Sequence, residues 1–196
     1  MKYLASLTLM FSLCVAAAYA QDGSVKMTFS GTSAPSTIIL PQPDTTSDSD
    51  NFVGGGTLGT FTLTDVRAIA NSPGTSSTCS GANQLFFSEL AGAGVFRFQD
   101  GSLLEVALTQ GGDCIDLTTN VAHCTVTFHI TRGTGRFQHA SGVLTMNENV
   151  TAVAIDTNGD PVADAYGNPI FFAATGGFTG TISGVATAEQ PNDAQQ

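Results

Sequence analysis

Residues 94–109 read GVFRFQDGSLLEVALT, and this stretch decides the fold class. Two apolar runs, 94–99 and 102–109, flank Asp100-Gly101, a dipeptide that suits the tight turn of a β-hairpin. Most of the chain repeats this pattern, because short runs rich in Thr, Val and Phe alternate with Gly, Asn, Asp and Pro. Helical periodicity is nearly absent. We therefore expect an all-β, antiparallel protein, either a sandwich or a barrel.

The same pattern predicts the positions of the strands and of the irregular segments. Strands are expected at 25–30, 36–40, 60–69, 84–90, 94–99, 102–109, 122–131, 142–155, 169–175 and 178–186. Pro, Asp, Ser and Gly predict a long mobile loop over 41–57 and a second loop over 71–82. Turn residues predict an elaborated hairpin loop over 156–169. The tail 187–196 carries no apolar pattern, so we expect it to be disordered.

The N-terminus has the pattern of a cleavable signal peptide. Lys2 precedes an apolar run, and the run ends in an A-x-A motif at 18–20. We expect cleavage after Ala20, a single β-barrel domain over 21–186, and a secreted or periplasmic location. The apolar run is shorter than the ~20 residues of a membrane-spanning helix, and no second such run follows.

The charge of the chain disfavours two classes of partner. The sequence has 16 acidic and 6 basic residues, a formal net charge of −10. Removal of Lys2 with the signal peptide would take one further positive charge away. A chain this acidic is a poor ligand for nucleic acid and is repelled by anionic membranes. We therefore expect no nucleic-acid partner and no membrane contact after cleavage.

Three cysteines lie beyond the signal peptide: Cys79, Cys114 and Cys124. Export would place them in an oxidising compartment, where disulfides persist. Cys114 and Cys124 bracket a short polar loop between two predicted strands, so Cys114–Cys124 is the expected bridge. Cys79–Cys124, Cys79–Cys114 and three free buried thiols remain alternatives, and the role of Cys79 stays open.

Two segments resemble a known family. Residues 133–142, GTGRFQHASG, are similar to the G-T-G-x-F-x-x-A-x-G turn of allene oxide cyclase-like barrel proteins, a type found among exported bacterial proteins of unknown function. Residues 177–184, GFTGTISG, look like the last strand that accompanies that turn. The resemblance extends in layout over roughly 60–186. It implies an antiparallel eight-stranded barrel of calycin type, related to the dirigent proteins, whose members bind hydrophobic molecules and steer a cyclisation or coupling. It assigns no catalytic residue here.

Charged residues interrupt the apolar faces of two predicted strands. Asp65 and Arg67 lie on the apolar face of one strand, and Glu148 lies on that of another. A charge on a core face needs a partner or a wet cavity. In a barrel the three would form the polar end of an apolar pocket, where Arg67 could hold a carboxylate and Glu148 could transfer a proton. The alternative is a bulge that turns them outward. Glu89 and Glu105 are weaker candidates.

No metal or cofactor is expected. His123, His129 and His139 do not have a recognised metal-ligand spacing, and alternation puts His129 on a solvated face. Residues 156–167 begin like a calcium-binding EF-hand loop but lack its glycine and its final glutamate, which leaves at most a weak surface calcium site. Dinucleotide and phosphate-loop motifs do not occur.

Three functions follow from these features. The first is the binding of a small hydrophobic ligand in the barrel, and the second is an enzyme of cyclase or dirigent type that uses the same lumen. The third is a secreted structural module with a filled barrel. A cavity of about 300 Å³ or more would separate the first two from the third.

Overall fold

The computed structural model describes residues 23–153, 163–164 and 169–186. Eight antiparallel strands close into a barrel in which each strand pairs with its neighbours in sequence and β1 pairs with β8. The strands are β1 Gly23–Pro35, β2 Thr45–Gly56, β3 Phe61–Ala70, β4 Gln84–Phe98, β5 Leu103–Asp116, β6 Val121–Gly133, β7 Ser141–Ala152 and β8 Phe172–Ser183. A 3-10 turn, Gly135–Phe137, follows β6. The predicted all-β, eight-stranded antiparallel barrel is confirmed.

The prediction of a mobile loop over 41–57 was wrong. Thr45–Gly56 forms β2, which pairs with both β1 and β3. The inward side chains of β2 include Asp48, Asp50 and Phe52, so the strand has the expected period of two. Two of these three residues are acidic, and the hydrophobic pattern of a strand is therefore missing from the sequence.

Other strand boundaries also differ from the prediction. Segments 84–90 and 94–99 belong to the one strand β4, and β8 spans most of 169–175 and 178–186. Residues 36–40 form no strand, although a strand was predicted there. The predicted breaks within β4 and β8 fall at glycines and alanines, which the sheet accommodates without ending the strand.

Several predictions fall where the structure gives no description. The signal peptide expected over 1–20 and the tail 187–196 lie outside the described residues, as does most of the loop 156–169. Within that loop, Ala163 pairs with Pro169 in an isolated bridge. Over the described ranges, no helix has the length and apolar character needed to span a membrane.

One end of the lumen is packed with aromatic rings. The rings of Phe61 and Phe96 lie 5.2 Å apart, and those of Phe98 and Phe137 lie 4.6 Å apart, measured between ring centres. The Arg136 guanidinium covers the last two rings at 4.9 and 4.2 Å. Burial of each such ring stabilises the fold by roughly 1.5–3 kcal/mol. This end of the barrel serves as the hydrophobic core.

Bulges in β4 and β5 change which residues face the lumen toward the other end. In β5 the buried side chain Leu104 lies before a register shift near Leu108, and the buried Asp113 lies after it. In β4, Leu90 has no partner in β3 and forms a bulge. The inward side chains are therefore at even-numbered positions on one side of the bulge, such as Phe96, and at an odd-numbered position on the other, at Glu89. The bulges thus bring two acidic side chains into the barrel.

The disulfide joins Cys79 to Cys114, so the predicted Cys114–Cys124 bridge was wrong. The β5–β6 hairpin does bring the two strands together, but Cys114 lies opposite His123 while Cys124 lies opposite Asp113. Adjacent positions on a strand point to opposite faces of the sheet. The bulge in β5 therefore turns Cys114 outward, toward the β3–β4 loop, whereas the Cys124 thiol is free and buried.

Candidate functional site

A cluster of buried charged side chains crosses the lumen beyond the aromatic core. We call Arg67, Asp50, Asp65, Glu89 and Glu148 the Arg67 cluster, and none of them is more than 3% exposed. Arg67 Nη1 donates to Glu89 Oε1 at 2.8 Å, and Nη2 donates to Asp50 Oδ2 and, at 3.3 Å, to Glu148 Oε2. Arg67 Nε lies 4.0 Å from Asp65 Oδ2. One guanidinium thus holds carboxyls from four strands.

Two glycines leave room for this cluster. A Cβ atom on Gly94 would lie 2.8 Å from the Cβ atom of Asp65, and a Cβ atom on Gly111 would lie 3.0 Å from that of Glu89. The first contact is shorter than those found in folded chains and the second is tighter than most, so a larger residue at either position would push against an acidic side chain of the cluster.

Some carboxyls of the cluster hold protons, because four of them surround a single guanidinium. Burial raises the pKa of Asp65 and of Glu89 well above the usual range, and a nearby carboxyl adds to each rise: Asp50 beside Asp65, and Asp113 beside Glu89. Burial also raises the pKa of Glu148 to about 7, against the opposing effect of the guanidinium. Near neutral pH the cluster therefore contains both protonated and ionised carboxyls.

A cavity of about 310 Å³ lies above the cluster, at the end of the barrel opposite the aromatic core. All eight strands contribute side chains to it. Its walls are mostly apolar and include Ile69, Phe87, Ile115, Val150 and Phe172. A cavity of this size lies at the lower end of the range for small-molecule sites.

Two carboxyls outside the Arg67 cluster face this cavity. Burial and the nearby Asp50 raise the pKa of Asp48 to about 6, and Asp113 contributes to the same effect. The Asp113 side chain is only 8% exposed, and its Oδ1 atom has no hydrogen-bond partner within the described part of the chain. A buried carboxylate oxygen without a donor costs free energy, and the neighbouring side chains that interact with Asp113 are those of Glu89 and Cys124.

Cys124 also lines the cavity. Burial raises the pKa of its thiol well above the usual value, and the carboxyls of Asp113 and Glu148 add to the rise. The thiol therefore stays protonated, which is typical of an unreactive structural cysteine rather than a nucleophile.

The structure brings the three sequence-predicted residues Asp65, Arg67 and Glu148 together inside the barrel. Only Arg67 lines the cavity, while the other two lie beneath it. Both Nη groups of Arg67 already donate to carboxyls of the cluster. A carboxylate ligand, which the sequence suggested for Arg67, would have to displace one of these internal partners.

Asp48, Asp50 and Asp113 were not predicted from the sequence, and Glu89 was expected to be only a weak candidate. Asp48, Asp50 and Phe52 are spaced two residues apart, so they share one face of a strand. This spacing could have identified the two aspartates if acidic side chains had been allowed inside the barrel. Asp113 follows a bulge and Glu89 precedes one, and a fixed alternation carried across a bulge assigns the wrong face.

Two other residues considered from the sequence lie on the outer surface. Glu105 is paired with Arg132 at 2.9 Å, outside the lumen. His129 is exposed, as its place in the alternation predicts. Within the described ranges, no group of three His, Cys, Asp or Glu side chains is placed to bind a metal ion.

No protein-family model and no curated protein sequence matches the chain. Among solved structures, the chain is similar to the pterocarpan synthase dirigent protein GePTS1, over 91% of this chain and 99% of that chain, with 11% identity and a TM-score of 0.38. Similarity at this level carries no functional conclusion, so the function has to be inferred from the cavity and its lining.

Proposed function

We propose that this protein binds a small, mainly apolar molecule in the cavity at the open end of the barrel. The observation that carries the proposal is the cavity of about 310 Å³, which has apolar walls and a floor of charged side chains. Apolar walls with a few convergent polar groups are typical of ligand sites. A purely structural barrel would gain stability from filling this space.

The fluorescence of N-phenyl-1-naphthylamine, a neutral apolar dye, tests this proposal. We expect saturable binding to the wild-type protein. Ala122 lines the cavity, so Ala122→Trp fills part of it and should weaken binding at least about tenfold, or about 1.4 kcal/mol. Ala173→Trp is the matched control, because Ala173 is exposed on the outer face near the same end of the barrel.

Two results would contradict ligand binding in the cavity. Equal affinity of the dye for both tryptophan variants would place the dye on the outer surface. No binding to the wild-type protein would favour a structural module. Thermal unfolding of each variant, followed by circular dichroism, shows whether the barrel is intact.

A second candidate function is proton-transfer chemistry on the bound molecule, as in a cyclase or dirigent-type enzyme. It is favoured by Asp48, a cavity-lining carboxyl with a pKa of about 6, which lies close to the working pH of a general acid or base. The compounds retained by wild-type protein and by Asp48→Asn, both purified from the native host, should then differ in chromatographic retention. Identical compounds would contradict a catalytic role of Asp48.

We also propose that the protein works outside the cytoplasm. The Cys79–Cys114 disulfide supports this location, because such bonds persist in oxidising compartments. N-terminal sequencing of protein from the native host should give a chain that starts at Gln21. A chain that retains Met1 would argue against export by signal-peptide cleavage.

A further inference from the structure

The charged groups that reach the cavity are mostly acidic. Asp48 and Asp113 face it, and Arg67 is the only basic side chain that the described residues contribute to its lining. The Nη groups of Arg67 are already bonded to carboxyls beneath the cavity. The charge that a ligand meets in this mostly apolar cavity is therefore mainly negative.

Asp113 supplies an independent indication of what should bind there. It lies in the lining of the cavity and is more than nine-tenths buried, its side chain interacts with Glu89 and Cys124, and its buried Oδ1 atom has no hydrogen-bond partner within the described residues. Asp48 lies in the same lining and is close enough to Asp113 for the two charges to interact. A ligand group placed between them would receive two acceptors and would relieve their repulsion if it were positively charged.

We propose that the ligand is an apolar amine whose protonated nitrogen lies between Asp48 and Asp113 and whose apolar body packs against Ile69, Ile115 and Phe172. This inference rests on the proposed function and narrows it to one class of ligand. An ammonium group has up to three donors and no acceptor, which suits a floor made of carboxyl oxygens. An anionic ligand would meet the same carboxyls with repulsion.

Isothermal titration calorimetry with three probes that share one ring system tests the proposal. The probes are 1-naphthylmethylamine, 1-naphthalenemethanol and 1-naphthoate, which are a cation, a neutral molecule and an anion near neutral pH. We expect the amine to bind at least about tenfold more tightly than the alcohol, and the anion to bind most weakly.

Variants then test which carboxyls cause the amine to bind more tightly than the alcohol. Asp113→Asn and Asp48→Asn should each reduce the affinity for the amine toward that for the alcohol, while the affinity for the alcohol changes less than about twofold. Asp116→Asn is the matched control, because it removes the same charge from the same end of the barrel. The Asp116 side chain accepts hydrogen bonds from the backbone of the β5–β6 turn, outside the cavity. The control should leave the amine preference unchanged.

The outcomes separate this inference from the proposed function. If the dye binds in the cavity but the amine binds no better than the alcohol, the amine proposal is overturned and the binding proposal stands. Tighter binding of the anion would also overturn it and would point to Arg67. If Asp116→Asn lost the preference for the amine over the alcohol to the same extent, that preference would come from the net charge of the protein, and the proposed contacts would be overturned. If the dye does not bind to the wild-type protein, both proposals fail.

Discussion

Replacement of Arg67 tests the most unusual feature of the barrel, a buried guanidinium shared by several carboxyls. In Arg67→Met the apolar stem is kept, but Asp50, Glu89 and Glu148 lose their donor. Removal of one partner from a buried ion pair costs about 3–5 kcal/mol, because the other charge stays buried without compensation. Since three carboxyls are affected here, we expect the free energy of unfolding to fall by an amount near the upper end of that range. This is a large part of the 5–15 kcal/mol that stabilises a typical domain.

The loss should depend on pH, and the direction follows from the raised pKa values. Burial raises the pKa of Glu148 to about 7 and that of Asp65 and Glu89 well above the usual range. At a pH of about 5 Glu148 holds a proton, and the pKa values of the other two are shifted in the same direction, so the cluster needs the cation less. The destabilisation caused by Arg67→Met should therefore be smaller near pH 5 than near pH 8.

Urea unfolding followed by far-ultraviolet circular dichroism at both pH values measures this effect. The m-value should stay unchanged, which would show that the two proteins expose the same surface on unfolding. Arg132→Met is the matched control, because the side chain of Arg132 is 73% exposed and pairs with Glu105 at the surface. We expect no resolvable change in that variant. An equal loss at both pH values, or a loss below about 1 kcal/mol for Arg67→Met, would refute the proposed network of buried ion pairs.

Three further predictions concern protonation and the cysteines. Folding raises the pKa of Glu148 from 4.5 to about 7. Between these two pH values the folded protein therefore binds more protons than the unfolded chain, and its stability should fall as the pH rises. Glu148 alone would lower the free energy of unfolding by roughly 2–3 kcal/mol between pH 5 and pH 8, and Glu148→Gln should make that free energy less dependent on pH. A free energy of unfolding that rises from pH 5 to 8 would contradict this. The Cys79–Cys114 bridge closes a loop with a sequence separation of 35, so the double serine variant should lose about 4 kcal/mol of stability in urea titrations, and unchanged stability would argue against the bridge. In unreduced protein expressed from Gln21 onward, the Cys124 thiol should react with a thiol reagent only after denaturation, and rapid labelling of the native protein would contradict its burial.

Part of this architecture could be predicted from the local sequence. The Asp100-Gly101 turn and the short Val-, Thr- and Phe-rich runs indicated antiparallel strands, and the structure has them. The inward direction of Asp65, Arg67 and Glu148 also followed from alternation, because their strands keep a constant parity up to these positions. These features depend on residues next to each other in the chain, and local patterns record them.

The rest depends on the closure of the barrel. β2 carries Asp48 and Asp50 on its inward face, and only the pairing of β2 with β3 places them beside Arg67. The bulges in β4 and β5 bring Glu89 and Asp113 inside, and the same shift in β5 separates the two cysteines that the hairpin was expected to join.

The division between sequence and tertiary structure at this site has a physical reason. Strand alternation is a local property with a period of two, so it is visible in the sequence wherever the register is unbroken. Register shifts and contacts across the lumen depend on which strands pair and where the extra residues are inserted. The sequence by itself therefore determined that this chain forms antiparallel strands with buried charges. Only the tertiary structure decided that those charges surround one guanidinium beneath a cavity.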